Sequence, residues 1–265
     1  MAKTWRAVAA ALALAVSLLG LGGCGGSAGG YRVIETLQEE TFSMAFRQGD
    51  MVGQYVTAAL QVLAANGDIH TLAEKWLGED NTSFPEDTEA LDAFGDIPAR
   101  TMILGLDPGA WPMSFADGAG YSGFDVELAQ AVCQLLGWEI QYQPMDEMNA
   151  YTELSSGNVD VAWGGMSFDA EGNGADLDLG PAYLENRILA VTTSDGPGSL
   201  RSLSGQRLAL PLNGRYSQIL AENTELGAME RVAKLADGNE ACFDALDAGE
   251  CDGILVDSVA LEART

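Results

Sequence analysis

Histidine is nearly absent from this chain: His70 is the one such residue in 265. A lone imidazole cannot assemble a metal site, and no cysteine–histidine spacing of the ligand type accompanies it. Positive charge is scarce as well. Thirteen Lys and Arg face 39 Asp and Glu, for a net charge of −26. That excludes nucleic acid as a partner, because its phosphates need clustered Lys and Arg. Unaided contact with an anionic membrane surface is excluded on the same ground. Long apolar runs are missing except at residues 7–19, a stretch too short for a bilayer span. No nucleophile motif and no cofactor fingerprint stands in the sequence, so no cofactor is expected. Core material is ample, with 47% hydrophobic against 20% charged residues, and this excludes disorder. The length suits one large domain or two small ones.

The front of the chain reads as an address. Lys3 and Arg6 precede the apolar run, and Leu21-Gly22-Gly23-Cys24 follows it. The pattern resembles a bacterial lipobox, which makes 1–23 a signal peptide and Cys24 the lipid anchor. An ordinary secretory signal with an incidental cysteine is the other reading. Residues 24–30, rich in Gly and Ser, then form a flexible lipid tether. The expected location is the outer face of the cytoplasmic membrane, or the periplasm. Three cysteines remain. Cys133 falls on the apolar side of a predicted helix and suits a buried filler. Cys242 starts a helix and Cys251 the next strand, a separation too long to favour a disulfide, although a bridge stays open as the minor option.

From about residue 100 onward, short apolar strands alternate with amphipathic helices, as in α/β layers with mostly parallel sheets. The pattern predicts strands at 102–106, 139–142, 159–163, 188–192, 207–210, 231–235 and 253–256. Helices are predicted at 124–136, 147–154, 217–220 and 241–246, with Gly137, Gly157 and Gly249 as left-handed C-terminal caps. Ahead of these, 31–37 and 41–47 read as strands, and 52–65 and 68–77 as helices. Residues 79–98 form an acidic linker with one short helix.

From Thr101 the chain resembles the extracytoplasmic solute-binding proteins of ABC importers, in the polar amino-acid family (family 3). The carrying residues are Gly105-Leu106-Asp107, Pro112-Met113-Ser114-Phe115, Gly123-Phe124-Asp125-Val126-Glu127-Leu128-Ala129, Glu153-Leu154-Ser155-Ser156-Gly157-Asn158-Val159-Asp160 and Trp163-Gly164-Gly165-Met166-Ser167. Asn186-Arg187, Leu246-Asp247-Ala248-Gly249 and Val256-Asp257-Ser258 complete the series. The family's closing segments stand at the front instead, in Glu40-Thr41-Phe42-Ser43-Met44-Ala45-Phe46-Arg47 and Glu74-Lys75-Trp76-Leu77-Gly78. The chain is therefore similar to a circularly permuted member of the family.

The resemblance implies an α/β, two-lobed periplasmic-binding-protein-like fold (type II), with a cleft and a two-strand hinge. Residues 31–40 complete lobe 2 and the hinge, 41–187 form lobe 1 with 79–98 joining the family's usual termini, and 188–265 form lobe 2. It implies a monomeric receptor, not an enzyme, that binds a small polar amino acid or amine and delivers it to an ABC permease. An elimination or dehydratase enzyme on the same scaffold, or a ligand-sensing subunit, is the alternative.

The family pattern assigns the ligand's ammonium group to Asp257, a position that also suits a helix N-cap. Gly165 and Ser167 match ligand-holding positions, though a turn glycine and a cap serine read the same way. The family's carboxylate-clamping arginine falls at Gly172, and its aromatic walls fall at Ala110, beside Trp111, and at Glu147. Arg215, followed by Tyr216, either replaces the clamp from lobe 2 or is a solvated surface residue. Asp107, Glu147, Asp169, Glu171 and Asp257 make an acidic cleft if all face inward. Two ligand classes, with and without a carboxylate, stay open.

Overall fold

The computed structural model describes residues 27–28, 30–227, 230–231 and 237–265. The signal segment 1–23, Cys24 and most of the strand expected at 231–235 lie outside these residues.

Strand β1 (Ser27–Ala28) turns at Gly30 and pairs with β2 (Tyr31–Phe42), so part of the expected tether is a hairpin. Two strands were expected across 31–47. The chain instead forms one twelve-residue strand, a break at residues 43–44, and β3 (Ala45–Arg47). Helix α1 (Met51–Asn66) starts where the Asp50 carboxylate accepts the Val52 N–H, and stops at Gly67, whose φ of 82° is left-handed. Helix α2 (Asp68–Leu77) follows, and the acidic linker contains one 3-10 turn at Ala90–Ala93.

Strand β4 (Thr101–Leu106) leads into a small sheet of β5 (Gly109–Ala110), β6 (Ser114–Asp117) and β7 (Gly120–Ser122). Helix α3 (Phe124–Leu136) has the predicted bounds and ends at Gly137, φ 68°. Strand β8 (Glu139–Pro144) precedes a 3-10 turn (Glu147–Asn149) and α4 (Ala150–Ser156), two pieces where one helix was expected. The Asp146 side chain accepts the Met148 N–H and starts the turn tightly. Strand β9 is only Val161–Ala162, shorter than predicted, and β10 spans Leu177–Leu179.

Strand β11 (Leu184–Thr193) opens the last part, followed by α5 (Leu200–Leu203), β12 (Arg207–Ala209), α6 (Gly214–Glu222) and α7 (Thr224–Gly227). Then come β13 (Glu230–Arg231), α8 (Asn239–Asp247), β14 (Gly253–Asp257) and α9 (Ser258–Arg264).

Two sheets organise these elements into two lobes. Lobe 1 is built on the order β10-β3-β9-β4-β8, and lobe 2 on β1-β2-β11-β14-β12-β13. Lobe 1 packs α1, α2 and α3 over its sheet through Phe42, Phe46, Leu60, Met102, Phe124 and Trp163. Lobe 2 buries both sheet faces, one around Phe243, Ile254 and Val256, the other around Leu203, Leu208, Tyr216 and Leu255.

Among the described residues the chain crosses between lobes twice, at 43–44 and at 180–183. Both crossings adjoin the β2–β11 ladder, which runs from Leu184 opposite Phe42 to Thr193 opposite Tyr31. Register shifts after Ile188 and after Ala190 mark irregularities that bend such a ladder. Cys133, Cys242 and Cys251 are all free and buried, and burial pushes the Cys251 thiol up to about 11.

Candidate ligand-binding site

Asp257 ends β14, a strand whose five residues are all buried. The strand lies inside the lobe 2 sheet between β11 and β12, so its C-terminal end opens on the seam between lobes, where α/β sheets place ligands. Asp257 stands at the N-cap of α9 but makes no side-chain cap bond. Its Oδ1 instead accepts from Asn186 Nδ2 at 2.7 Å and from Arg215 Nη2 at 3.2 Å, and its Oδ2 accepts from Asn239 Nδ2 at 2.7 Å.

The β2–β11 register sets Glu40 directly opposite Asn186. Glu40 Oε1 accepts from Asn186 Nδ2 at 2.6 Å and from Arg215 Nη1 at 2.8 Å. Its Oε2 is buried and has no hydrogen-bond partner among the described residues, and neither has Arg215 Nε. From lobe 1, Glu147 Oε2 accepts the Ser167 N–H at 3.1 Å and stands 3.6 Å from Arg215 Nη1.

Arg215 is therefore not a solvated surface residue. It is 6% exposed and sits among three carboxylates, all supplied by the chain itself. It lies in the first turn of α6, where Asn213 Oδ1 accepts its N–H at 2.8 Å. Lobe 1 grips this helix start twice: the Gly214 N–H donates to Asp146 Oδ2 at 2.7 Å, and Asn213 Nδ2 donates to Asp107 Oδ2. Gly238 and Gly109 complete the contact, backbone against backbone; a Cβ at Gly238 would overlap the Gly109 carbonyl.

The charges are unbalanced. Burial pushes Glu40 up to about 7, against the pull of Arg215. Burial also raises Asp107, opposed by the Gly109 N–H, Asn213 and Arg215, and raises Glu147, opposed by Arg215. Burial alone would lower Arg215, but Glu147, Glu40 and Asp257 hold it well above its ordinary value. The guanidinium stays charged, and the Glu40, Asp107 and Glu147 carboxyls take protons more readily than free ones.

Of the residues singled out from sequence, Asp107, Glu147, Arg215 and Asp257 meet in this seam. Asp169 and Glu171 do not; they lie on an exposed loop with Gly172, which the Asp169–Asn173 bond closes. The Gly165 N–H donates to Asp125 Oδ2 within lobe 1, and Ser167 Oγ donates to the Thr41 carbonyl. The Trp111 side chain packs on the lobe 2 core while its carbonyl accepts from Asn239 Nδ2. Tyr216 is buried beneath Arg215, ring to guanidinium 5.3 Å, and its hydroxyl donates to Asn239 Oδ1. Glu40, Asn186, Asn213 and Asn239 are additional members. A cavity of about 880 Å³ runs along the hinge beside Glu39, Arg187 and Glu262, and adjoins the cluster at Glu40 and Asn186.

The profile of the "Bacterial extracellular solute-binding proteins, family 3" matches residues 102–249, more than half of the chain. The arginine-binding extracellular protein ArtP of Bacillus subtilis (strain 168) is 32% identical over 114 residues, 43% of this chain and 44% of ArtP. The L-cystine-binding protein TcyJ of Escherichia coli (strain K12) is 27% identical over 164 residues, 60% of each chain. An ancestral arginine-binding protein solved with glutamine bound aligns at 27% identity and a TM-score of 0.48, over 61% of this chain and 71% of its own. The chain thus spans less than two thirds of the length of either named relative. It belongs to the bacterial extracellular solute-binding proteins of family 3.

Proposed function

We propose that this protein is an extracytoplasmic receptor that closes its lobes around a small polar amino acid or related amine and delivers it to the permease of an ABC importer. The observation that carries this reading is the convergence of Glu147 from lobe 1, Glu40 from the hinge, and Asp257 and Arg215 from lobe 2 on one buried point. A solute held there touches both lobes, so its binding free energy favours the closed arrangement. Asp257 receives the ligand's ammonium group, with Asp107, Glu147 and Arg215 around it. Gly165, Ser167, Trp111 and Tyr216 hold the walls in position. The names of ArtP and TcyJ, both binding proteins, support a receptor over an enzyme.

Thermal unfolding across amino acids, diamines and polyamines tests the reading. A ligand at a hundredfold its Kd adds about 2.7 kcal/mol, roughly 5–10 °C in Tm for a chain of this size. A flat response across the whole library refutes it, and turnover of a bound compound in place of its unchanged release would make the protein an enzyme.

We also read the chain as a permuted member of the family, tethered through Cys24. The family match begins only at residue 102, yet β3 sits inside the lobe 1 sheet between β10 and β9. Tyr31 and Arg264 meet on one carboxylate: the Tyr31 hydroxyl is 2.8 Å, and Arg264 Nη2 3.0 Å, from Asp247 Oδ2. Both observations support a rotated chain order in which residues 264 and 31 are natural neighbours.

A further inference from the structure

We propose that the seam selects a cation without an α-carboxylate, an aliphatic diamine or a guanidino-amine, because the chain's own carboxylates already take most of the donors that a ligand carboxylate would need. This rests on the receptor reading above and names its ligand class.

The Ser167 N–H, at a position matching the family's ligand-holding residues, is bonded to Glu147 Oε2. The start of α6 is a helix N-terminus in the seam, a natural place for an anion. Its Gly214 N–H is bonded to Asp146 Oδ2, and its Asn213 amide to Asp107. The Arg215 guanidinium, the remaining strong donor, spends both Nη groups on Glu40, Glu147 and Asp257 and keeps only Nε without a partner among the described residues. No substitute comes from the loops of lobe 1, since residues 101–186 contain neither Lys nor Arg. An incoming carboxylate would have to evict a tethered one and then face the others.

For a cation the balance is reversed. Among the described residues, Glu40, Glu147 and Asp257 share one guanidinium, and Asp107 is bonded only to the neutral N–H groups of Asn213 and Gly109. Glu40, its side chain 3% exposed, keeps Oε2 without a partner. An ammonium or guanidinium satisfies that oxygen and reduces the surplus negative charge. A bare metal ion fits poorly, because the amide N–H groups of Asn186 and Asn239 surround Asp257.

Matched ligands separate the alternatives. Agmatine and L-arginine, and likewise 1,4-diaminobutane and L-ornithine, differ only in the α-carboxylate. Calorimetric titration of the full chain at pH 7.5 should find the decarboxylated member of each pair tighter by about 10–100-fold, the cost of an unmet charged acceptor. Equal or tighter binding of arginine and ornithine overturns the proposal and leaves the receptor reading standing. Heat from none of the four overturns the proposal too, and the receptor reading falls with it if the amino-acid library is also silent. In Glu147→Gln the preference should shrink by roughly tenfold; an unchanged ratio removes Glu147 from the selection.

Discussion

Replacing Arg215 with Met keeps the bulk of the side chain and deletes the charge that three carboxylates share. In the intact protein that charge lies 2.8 Å from Glu40, 3.2 Å from Asp257 and 3.6 Å from Glu147. Breaking a buried ion pair from one side costs about 3–5 kcal/mol, because the partner is left charged and unmet. The expected loss for Arg215→Met at pH 8 is of that order. It must also depend on pH with a definite sign. Arg215 pulls down the Glu40 carboxyl, which burial otherwise raises. Without it the folded variant takes up protons at a pH where the folded wild type does not. Lowering the pH therefore stabilises the variant relative to wild type, by about 1.4 kcal/mol per pH unit for each proton taken up. Opening of the seam would rehydrate the carboxylates, so part of the loss can surface as a larger radius of gyration. Urea unfolding followed by tryptophan fluorescence at pH 8 and pH 5, with small-angle scattering alongside, reads both quantities. A deficit under about 1 kcal/mol at pH 8 with an unchanged radius, or a deficit equal at the two pH values, would refute the reasoning.

Asp125 tests the same linkage away from the seam. Burial pushes its carboxyl up to about 7 from 3.8, despite bonds from the Gly165 N–H and the Tyr183 hydroxyl. Between roughly pH 4 and 7 the folded state thus holds a proton that the unfolded chain has already released, and stability falls as pH rises through that window, by at most about 4 kcal/mol. Asp125→Asn should flatten the slope in urea titrations; parallel slopes for the two proteins contradict it. Gly238→Ala places a Cβ against the Gly109 carbonyl across the seam, at a φ of 88° that already disfavours side chains. Scattering should report a wider molecule and calorimetry weaker ligand binding, and an unchanged radius would mean that this contact does not limit closure. Joining residue 265 to residue 31 by a short Gly-Ser linker and opening the chain within 79–98 should preserve the far-ultraviolet circular dichroism and the ligand response. Loss of cooperative unfolding would count against the permuted reading.

The helices at Asp68–Leu77 and Phe124–Leu136 were legible to the residue, since each ends at a glycine that adopts φ of 82° or 68°. Strand β2 was read as two pieces because Glu35, Gln38, Glu39 and Glu40 interrupt its apolar pattern. Its continuity comes from the ladder with β11, not from burial, and no local signal records that. The helix expected from Glu147 breaks into a turn because Asp146 caps it and the Glu147 carboxylate turns toward Ser167. In the seam, Asp107, Glu147, Arg215 and Asp257 were visible in advance as site residues. Glu40 and Asn186 were not, because only the strand register brings them face to face. Asn213 and Asn239 carry no signal as site residues in the sequence; their amide groups acquire meaning only when Asp107 and Asp257 arrive from elsewhere in the chain.

The meeting of Tyr31 and Arg264 at Asp247 has a mechanical corollary. Whatever lies ahead of residue 31 departs from lobe 2, so a leash attached to the front of the chain grips the smaller jaw. Under the proposed anchoring through Cys24, the larger jaw, with its acidic strap at 79–98, is the half that the leash leaves free. On the same proposal a pull on the leash enters at Tyr31, where Asp247 ties the chain to the anchored half before β2 reaches the crossing at 43–44.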